Sequence, residues 1–157
     1  MRIPPVLPVL LVCAQFPASP AAAQDREVPY WATLRSEEVN MRVGPSEAYP
    51  IEWVYRRPGL PVKVLRVNQG WRFVEDPGGE RGWIVARLLD PDRGAIVVGE
   101  GLAEMRAEPA ASAPVRWRAE PGVVGTLNDC EAGWCELDVA GRKGWVLASR
   151  LWGAGEP

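Results

Sequence analysis

The chain nearly repeats itself: residues 82–89 read GWIVARLL and residues 144–151 read GWVLASRL. Sliding the sequence along itself extends the match in both directions. Met41-Arg42 falls on Met105-Arg106, Pro45 on Pro109, Pro50 on Pro114 and Trp53 on Trp117, each at an offset of 64. Pro58-Gly59 falls on Pro121-Gly122 and Gly70-Trp71 on Gly133-Trp134 at 63, Gly82-Trp83 on Gly144-Trp145 at 62, and Leu88 on Leu151 at 63. Each change of offset lies in a turn-like stretch. Two copies of about 55–60 residues describe two small domains, because a solenoid needs at least three repeats to bury its faces. The expected units are 34–90 and 96–153, with a turn-rich linker at 91–95 short enough to restrict their separation.

Ahead of the repeat, residues 1–23 carry one charge (Arg2), an apolar stretch from Ile3 to Phe16 and a small-residue end at Ala21-Ala22-Ala23. That order is a secretory signal peptide. Its apolar run is shorter than the roughly 20 residues a bilayer span needs. Cleavage is expected between Ala23 and Gln24, leaving 24–33 as an N-terminal extension. A lipid anchor on Cys13 is the alternative, disfavoured by bulky Val12 before it. The exported chain then has 17 basic and 20 acidic residues, a net charge of −3, with no basic cluster. Nucleic acid is therefore excluded as the ligand class. No second hydrophobic segment follows, so no membrane span is expected, and the protein is expected to be periplasmic or secreted.

Several chemistries fall away with the residue types. There is no histidine, and after Cys13 only Cys130 and Cys135 remain. Common zinc sites need several Cys or His ligands, and serine triads and Cys–His pairs need an imidazole base. No metal, cofactor or catalytic residue is expected. A carboxylate hydrolase is the enzyme alternative, requiring two carboxyl groups about 5–9.5 Å apart in a cleft, and no motif supports it.

Glycine and proline supply 32 of 157 residues, which suits short strands and tight turns. In the first copy, Pro61 to Val67 reads as a strand, Asn68-Gln69-Gly70 as a turn, Trp71 to Glu75 as a strand, Pro77-Gly78-Gly79 as a turn and Gly82 to Val85 as a third strand. The second copy follows with Val124 to Cys130, Glu131-Ala132-Gly133, Trp134 to Val139 and Gly144 to Leu147. Ala86-Arg87-Leu88 and Ser149-Arg150-Leu151 read as closing one-turn 3₁₀ segments. The class is all-β, as two tandem small barrels. The segment Asn40-Met41-Arg42-Val43-Gly44-Pro45-Ser46, followed by Gly-Trp pairs at 70–71 and 82–83, resembles the bacterial SH3-like domains of exported proteins. The second copy has Met105-Arg106-Ala107-Glu108-Pro109, without the glycine. The resemblance implies five- or six-stranded barrels without catalytic machinery, used for targeting or recognition and in some cases binding cell-wall peptides.

Cys130 and Cys135 flank a four-residue stretch of a hairpin, where opposed Cβ atoms lie about 4.5–5.5 Å apart. Export favours a structural disulfide there, and the C-x₄-C spacing differs from the C-x-x-C of redox dithiols.

Eight tryptophans must be divided between core and site. Strand alternation puts Cys135, Leu137 and Val139 inward and Trp134 outward, and likewise Val74 inward with Trp71 and Phe73 outward. Ile84 and Val146 are the expected core residues of the closing strands, turning Trp83 and Trp145 outward. Trp53 and Trp117 are expected in the cores, and Trp31 and Trp152 have no assigned role. The resemblance implies one shallow groove per barrel, with Tyr49 completing the first beside Trp71 and Trp83, and Ala113 leaving the second flatter. Arg87 and Arg150 are available for a ligand carboxylate or for solvent. The expected ligand-binding set is Tyr49, Trp71, Phe73, Trp83, Arg87, Trp134 and Trp145. The expected partner is peptidoglycan peptide or an envelope protein, held as aromatic-lined grooves hold extended peptides. The rival is a scaffold whose packed barrels bury the groove tryptophans between them.

Overall fold

The computed structural model describes residues 26–157, so the expected signal peptide and Cys13 lie outside the described residues. Seven strands form the first sheet: β1 (Tyr30–Leu34), β2 (Val39–Arg42), β3 (Ile51–Tyr55), β4 (Pro61–Asn68), β5 (Trp71–Glu75), β6 (Arg81–Val85) and β7 (Leu89–Asp90). Seven more form the second: β8 (Gly94–Val97), β9 (Ala103–Arg106), β10 (Val115–Ala119), β11 (Val124–Glu131), β12 (Trp134–Val139), β13 (Arg142–Leu147) and β14 (Leu151–Trp152). Their orders are β3-β2-β6-β5-β4-β1-β7 and β10-β9-β13-β12-β11-β8-β14. Adding seven to each strand of the first order gives the second. The repeat is thus one topology built twice, all-β, as two tandem SH3-like units. Among the described residues no helix is long and apolar enough to cross a membrane.

The glycine of the second Gly-Trp pair in each unit has a packing reason. A Cβ on Gly82 would lie 2.5 Å from the Met41 Cγ and 2.9 Å from the Arg42 carbonyl oxygen, and one on Gly144 would lie 2.7 Å from the Met105 Cβ. β2 and β9 cross β6 and β13 so closely that only glycine fits beneath them. Each core forms around that crossing, with Met41, Val64, Val74 and Ile84 fully buried in the first unit and Met105, Leu137 and Val146 nearly so in the second.

The turns show two solutions to one problem. In the first unit Glu75 pairs with Arg81 across a five-residue loop. The buried Asp76 carboxylate organises that loop, its Oδ1 accepting from the backbone N–H of Gly78 (2.8 Å) and Glu80 (2.9 Å), and its Oδ2 from the Tyr55 hydroxyl at 3.0 Å. The Tyr55 phenol is held well above its usual pKa, first by burial and then by the Asp76 charge. In the second unit Val139 pairs with Arg142 across Ala140-Gly141, both at positive φ, a two-residue hairpin. Alanine stands at position 119 where the first unit has Tyr55, and a cavity of about 420 Å³ opens beside Ala119 and Trp117.

The β11–β12 hairpin is closed by a Cys130–Cys135 disulfide, the two residues being direct cross-strand partners. In the first unit Val67 and Arg72 occupy that register. There Arg72 tethers the turn without a covalent bond, its NH1 donating to the Gln69 carbonyl at 2.8 Å and its Nε to the Tyr30 hydroxyl at 3.0 Å.

Three details depart from the sequence expectations. The closing match runs without a gap at offset 62: the 3₁₀ turns are Ala86–Leu88 and Ala148–Arg150, so Leu89 corresponds to Leu151 and Arg87 to Ser149. Both leucines are buried because each pairs back onto the opening strand, Leu34 with Leu89 and Val97 with Leu151. The sheets also begin earlier than the repeat, since β1 starts at Tyr30 in the stretch read as an extension and β8 at Gly94 in the linker. Trp53 and Trp117 are not core residues: they are 49% and 44% exposed. Their strands β3 and β10 are the outermost of each sheet, and the methionines opposite them, Met41 and Met105, fill the interior instead.

The barrels share apolar surface. Ile96, from the second sheet, belongs to the first unit's buried cluster, with Val98, Val124 and Trp152 packed against it. Trp31 and Trp152 meet edge-to-face at 4.7 Å, an arrangement favoured by the ring quadrupole. The Trp31 indole N–H donates to the Gly155 carbonyl at 3.0 Å, and Arg93 donates to the carbonyls of Gly153 and Gly155. The chain end is thereby fastened across the junction.

Candidate functional site

The outer face of the first sheet carries a row of side chains running across four strands. Arg66 on β4 lies opposite Phe73 on β5, Phe73 opposite Trp83 on β6, and Trp83 opposite Arg42 on β2. Cross-strand partners sit on one face, so strand register alone assembles these four. The Phe73 and Trp83 rings lie 5.2 Å apart, and the Arg66 guanidinium sits 4.1 Å from the Phe73 centroid and 5.7 Å from that of Trp83. Trp71 is two residues before Phe73 on the same face, opposite Val85. Trp71, Phe73 and Trp83 are all half-buried, with Val74 and Ile84 between them in the core.

Tyr49 is joined to this row through its backbone. Its carbonyl accepts from the Arg42 NH1 at 2.7 Å, and its ring, 47% exposed, lies over Gly44, where a Cβ would come within 2.5 Å of it. The second unit builds the same loop differently. Arg106 NH1 donates to the Ala113 carbonyl at 2.6 Å, and the hydrogen bonds Ala110 N–H to Glu108 and Ala113 N–H to Ala110 match those of Ser46 to Gly44 and Tyr49 to Ser46. With Ala113 in place of Tyr49, the loop keeps its shape without glycine. Arg42 and Arg106 therefore serve the loop in both units.

The equivalent row of the second unit has a different chemistry. Glu136 takes the place of Phe73 and is paired with Trp145, which is opposite Arg106. Asn128 donates to the Glu136 carboxylate at 3.0 Å, and Asp129 follows where the first unit has Arg66. A separate, largely apolar groove of about 370 Å³ lies under Trp134, bounded by Leu102, Leu147, Arg106 and Arg150. Arg150 is committed to the backbone, donating to the carbonyls of Val98 and Gly101 at 2.8 Å each. Arg87 is exposed. A polar cleft of about 360 Å³ also separates the two barrels near Thr33, Gly59, Asp90 and Thr126, with no aromatic ring in its lining.

A family model described as "Bacterial SH3 domain" matches residues 35–91 and again residues 99–153. The chain belongs to the bacterial SH3 domain family. It is also similar to a Bacillus subtilis (strain 168) protein named "Putative N-acetylmuramoyl-L-alanine amidase YrvJ", at 26% identity over 94% of this chain. The chain spans only 30% of that relative's length. Among solved structures it is similar to NlpC2 from Trichomonas vaginalis (17% identity, 82% of this chain and 49% of that one, TM-score 0.36). NlpC1 from the same organism gives 18% identity, 83% and 48% coverage and a TM-score of 0.36.

For these two SH3 units, alternation along β5, β6, β12 and β13 was enough to place Trp71, Phe73, Trp83, Trp134 and Trp145 outside the cores. Sequence reasoning missed Arg66. The signal was there in the form of a strand residue three before the Gln69-Gly70 turn, opposite an outward Phe73. Reading it required the β4–β5 register, which shifts between Val64 and Arg66.

Proposed function

We propose that the protein is an exported, non-enzymatic binding module that holds cell-wall peptide in the outer groove of its first SH3 unit. The observation that carries this reading is the Phe73–Trp83 platform, half-buried on the outer sheet face that Trp71 shares. Extended peptides dock on such surfaces by stacking and by hydrogen bonds to their backbone. Family membership and the amidase name of the Bacillus subtilis relative support the cell wall as the source of that peptide. Domains at 34–90 and 96–153, signal cleavage after Ala23 and a periplasmic or secreted location complete the proposal. Tyr49 and Arg87 are its secondary contacts, and Trp134 and Trp145 of the second unit are not required for it.

The scaffold reading draws on the shared Ile96, Trp31 and Trp152 packing. That packing uses two tryptophans outside the groove set, so it leaves the groove available. Sedimentation of the purified protein with peptidoglycan sacculi tests the proposal, using wild type beside Trp71→Ala plus Trp83→Ala, each checked for folding by circular dichroism. Binding by wild type and its loss in the folded variant are expected. Wild type left in the supernatant would redirect the search to protein partners.

A further inference from the structure

We infer that Arg66 is the specificity-determining cation of the first groove and takes a free carboxylate of the bound peptide. This rests on the proposed cell-wall reading and narrows its ligand to a peptide that presents a carboxylate beside an apolar or planar group.

The Arg66 guanidinium is held by rings and not by a carboxylate. Three exposed arginines of the first unit pair with carboxylates, Arg35 with Asp90 at 2.6 Å, Arg56 with Glu38 at 3.1 Å and Arg81 with Glu75 at 2.5 Å, whereas Arg57 and Arg87 are exposed without a carboxylate partner among the described residues and lie against no ring. Arg66 is exposed and has no ion-pair partner among the described residues. Its contacts are the Phe73 and Trp83 rings. Stacking on a ring restrains the plane of a guanidinium while leaving its edge donors to solvent. Those donors form a fork that matches a carboxylate with two parallel N–H···O bonds.

The second barrel supplies an internal control. At the corresponding places it has Asp129 and Glu136, the latter held by Asn128, and it folds to the same topology. The fold therefore does not require a cation stacked on an aromatic ring at this point of the sheet. Arg42, the other cation of the row, has a counterpart in Arg106 with the same loop contact, so its role is structural and shared. Of the two arginines in the row, Arg66 is the one particular to the first unit. The acidic row of the second unit would repel the same ligand, and like charges facing each other work against a wrong partner.

The test uses native sacculi and sacculi whose carboxyl groups have been converted to amides with carbodiimide and ammonia, each titrated with wild type, Arg66→Gln and Arg66→Lys. Wild type is expected to bind the amidated sacculi about tenfold more weakly or worse, as befits a lost charge-assisted contact. Arg66→Gln is expected to bind both preparations alike, at the level wild type shows on the amidated form. Arg66→Lys is expected to recover part of the preference, because a lysine keeps the charge and loses the fork. Equal binding of wild type to both preparations, or a preference that survives in Arg66→Gln, overturns the assignment and leaves the groove reading intact. Absence of wild-type binding to either preparation overturns the cell-wall reading itself, and this inference with it.

Discussion

The two barrels share a strand order and a core crossing, and they differ in how they staple their hairpins and in what they show to solvent. Gly82 under Met41 and Gly144 under Met105 do the same work in each, as do Arg42 and Arg106 at the long loop. These are requirements of the fold. The β4–β5 hairpin is held by Arg72 and Tyr30, the β11–β12 hairpin by a disulfide. The Tyr55–Asp76 pair supports a five-residue loop in one barrel, while the other has Ala119 and a two-residue turn. These are alternative local solutions. The outer row, Arg66-Phe73-Trp83 against Glu136-Trp145, is neither, since both units fold although the row differs between them. A difference that the fold tolerates on an exposed face is where recognition is best sought.

The largest effect is expected where the barrels meet. Trp31→Ala removes a buried ring that is 8% exposed and its edge-to-face partner, and should cost about 4 kcal/mol in urea denaturation. Differential scanning calorimetry should then show two transitions in place of one. A single unshifted transition would mean that the shared cluster contributes little.

Next in size is the loop particular to the first barrel. Asp76→Ala leaves the Tyr55 hydroxyl and two backbone N–H groups without their acceptor, which should cost about 3 kcal/mol. Asp138→Ala, at a carboxylate that caps only the Gly141 N–H, should cost about 1 kcal/mol. Comparable losses from both would erase the distinction drawn between the two turns.

Replacing Cys130 and Cys135 by serine should lower stability by about 2 kcal/mol, the chain-entropy value for so short a loop. The same loss should appear in wild type under dithiothreitol. No change on reduction would show that the second hairpin needs no staple.

The smallest effect at neutral pH belongs to Tyr55→Phe, about 1 kcal/mol for one hydrogen bond. Its signature is alkaline. The folded-state pKa of Tyr55 is raised, so its contribution is fully present below the unfolded phenol value near 10 and is lost progressively as pH rises beyond it. Wild-type stability should therefore fall more steeply above about pH 10 than that of Tyr55→Phe. Parallel curves would remove Tyr55 as the cause.

Much of this was legible in the sequence, for physical reasons. Strand β6 alternates throughout between buried and outward residues, and β5, β12 and β13 do so around Val74, Leu137 and Val146, so period two reads off both the core and the outward tryptophans. The Gly-Trp pairs at 82–83 and 144–145 mark the repeat because no other residue fits below the crossing strand. What stayed hidden depends on long-range register. Trp53 is a large apolar residue that lies on an outer strand, and nothing local distinguishes it from a core residue. Leu151 was matched to Leu88 rather than Leu89 because adjacent leucines in LL offer two equal alignments, and only pairing with Leu34 separates them. Arg66 needed the irregular β4–β5 register, and Trp31 needed its contact with Trp152, more than a hundred residues away in sequence.

The central claim is that the first barrel's outer row, and not the second's, makes the binding surface. The most direct test gives the first row the second one's residues, as Arg66→Asp with Phe73→Glu, and compares its sedimentation with sacculi to that of wild type and of Trp134→Ala with Trp145→Ala. The first variant, folded by circular dichroism, is expected to stay in the supernatant while the second sediments like wild type. Retention of binding by Arg66→Asp with Phe73→Glu, with loss in the second-barrel variant, would contradict that claim.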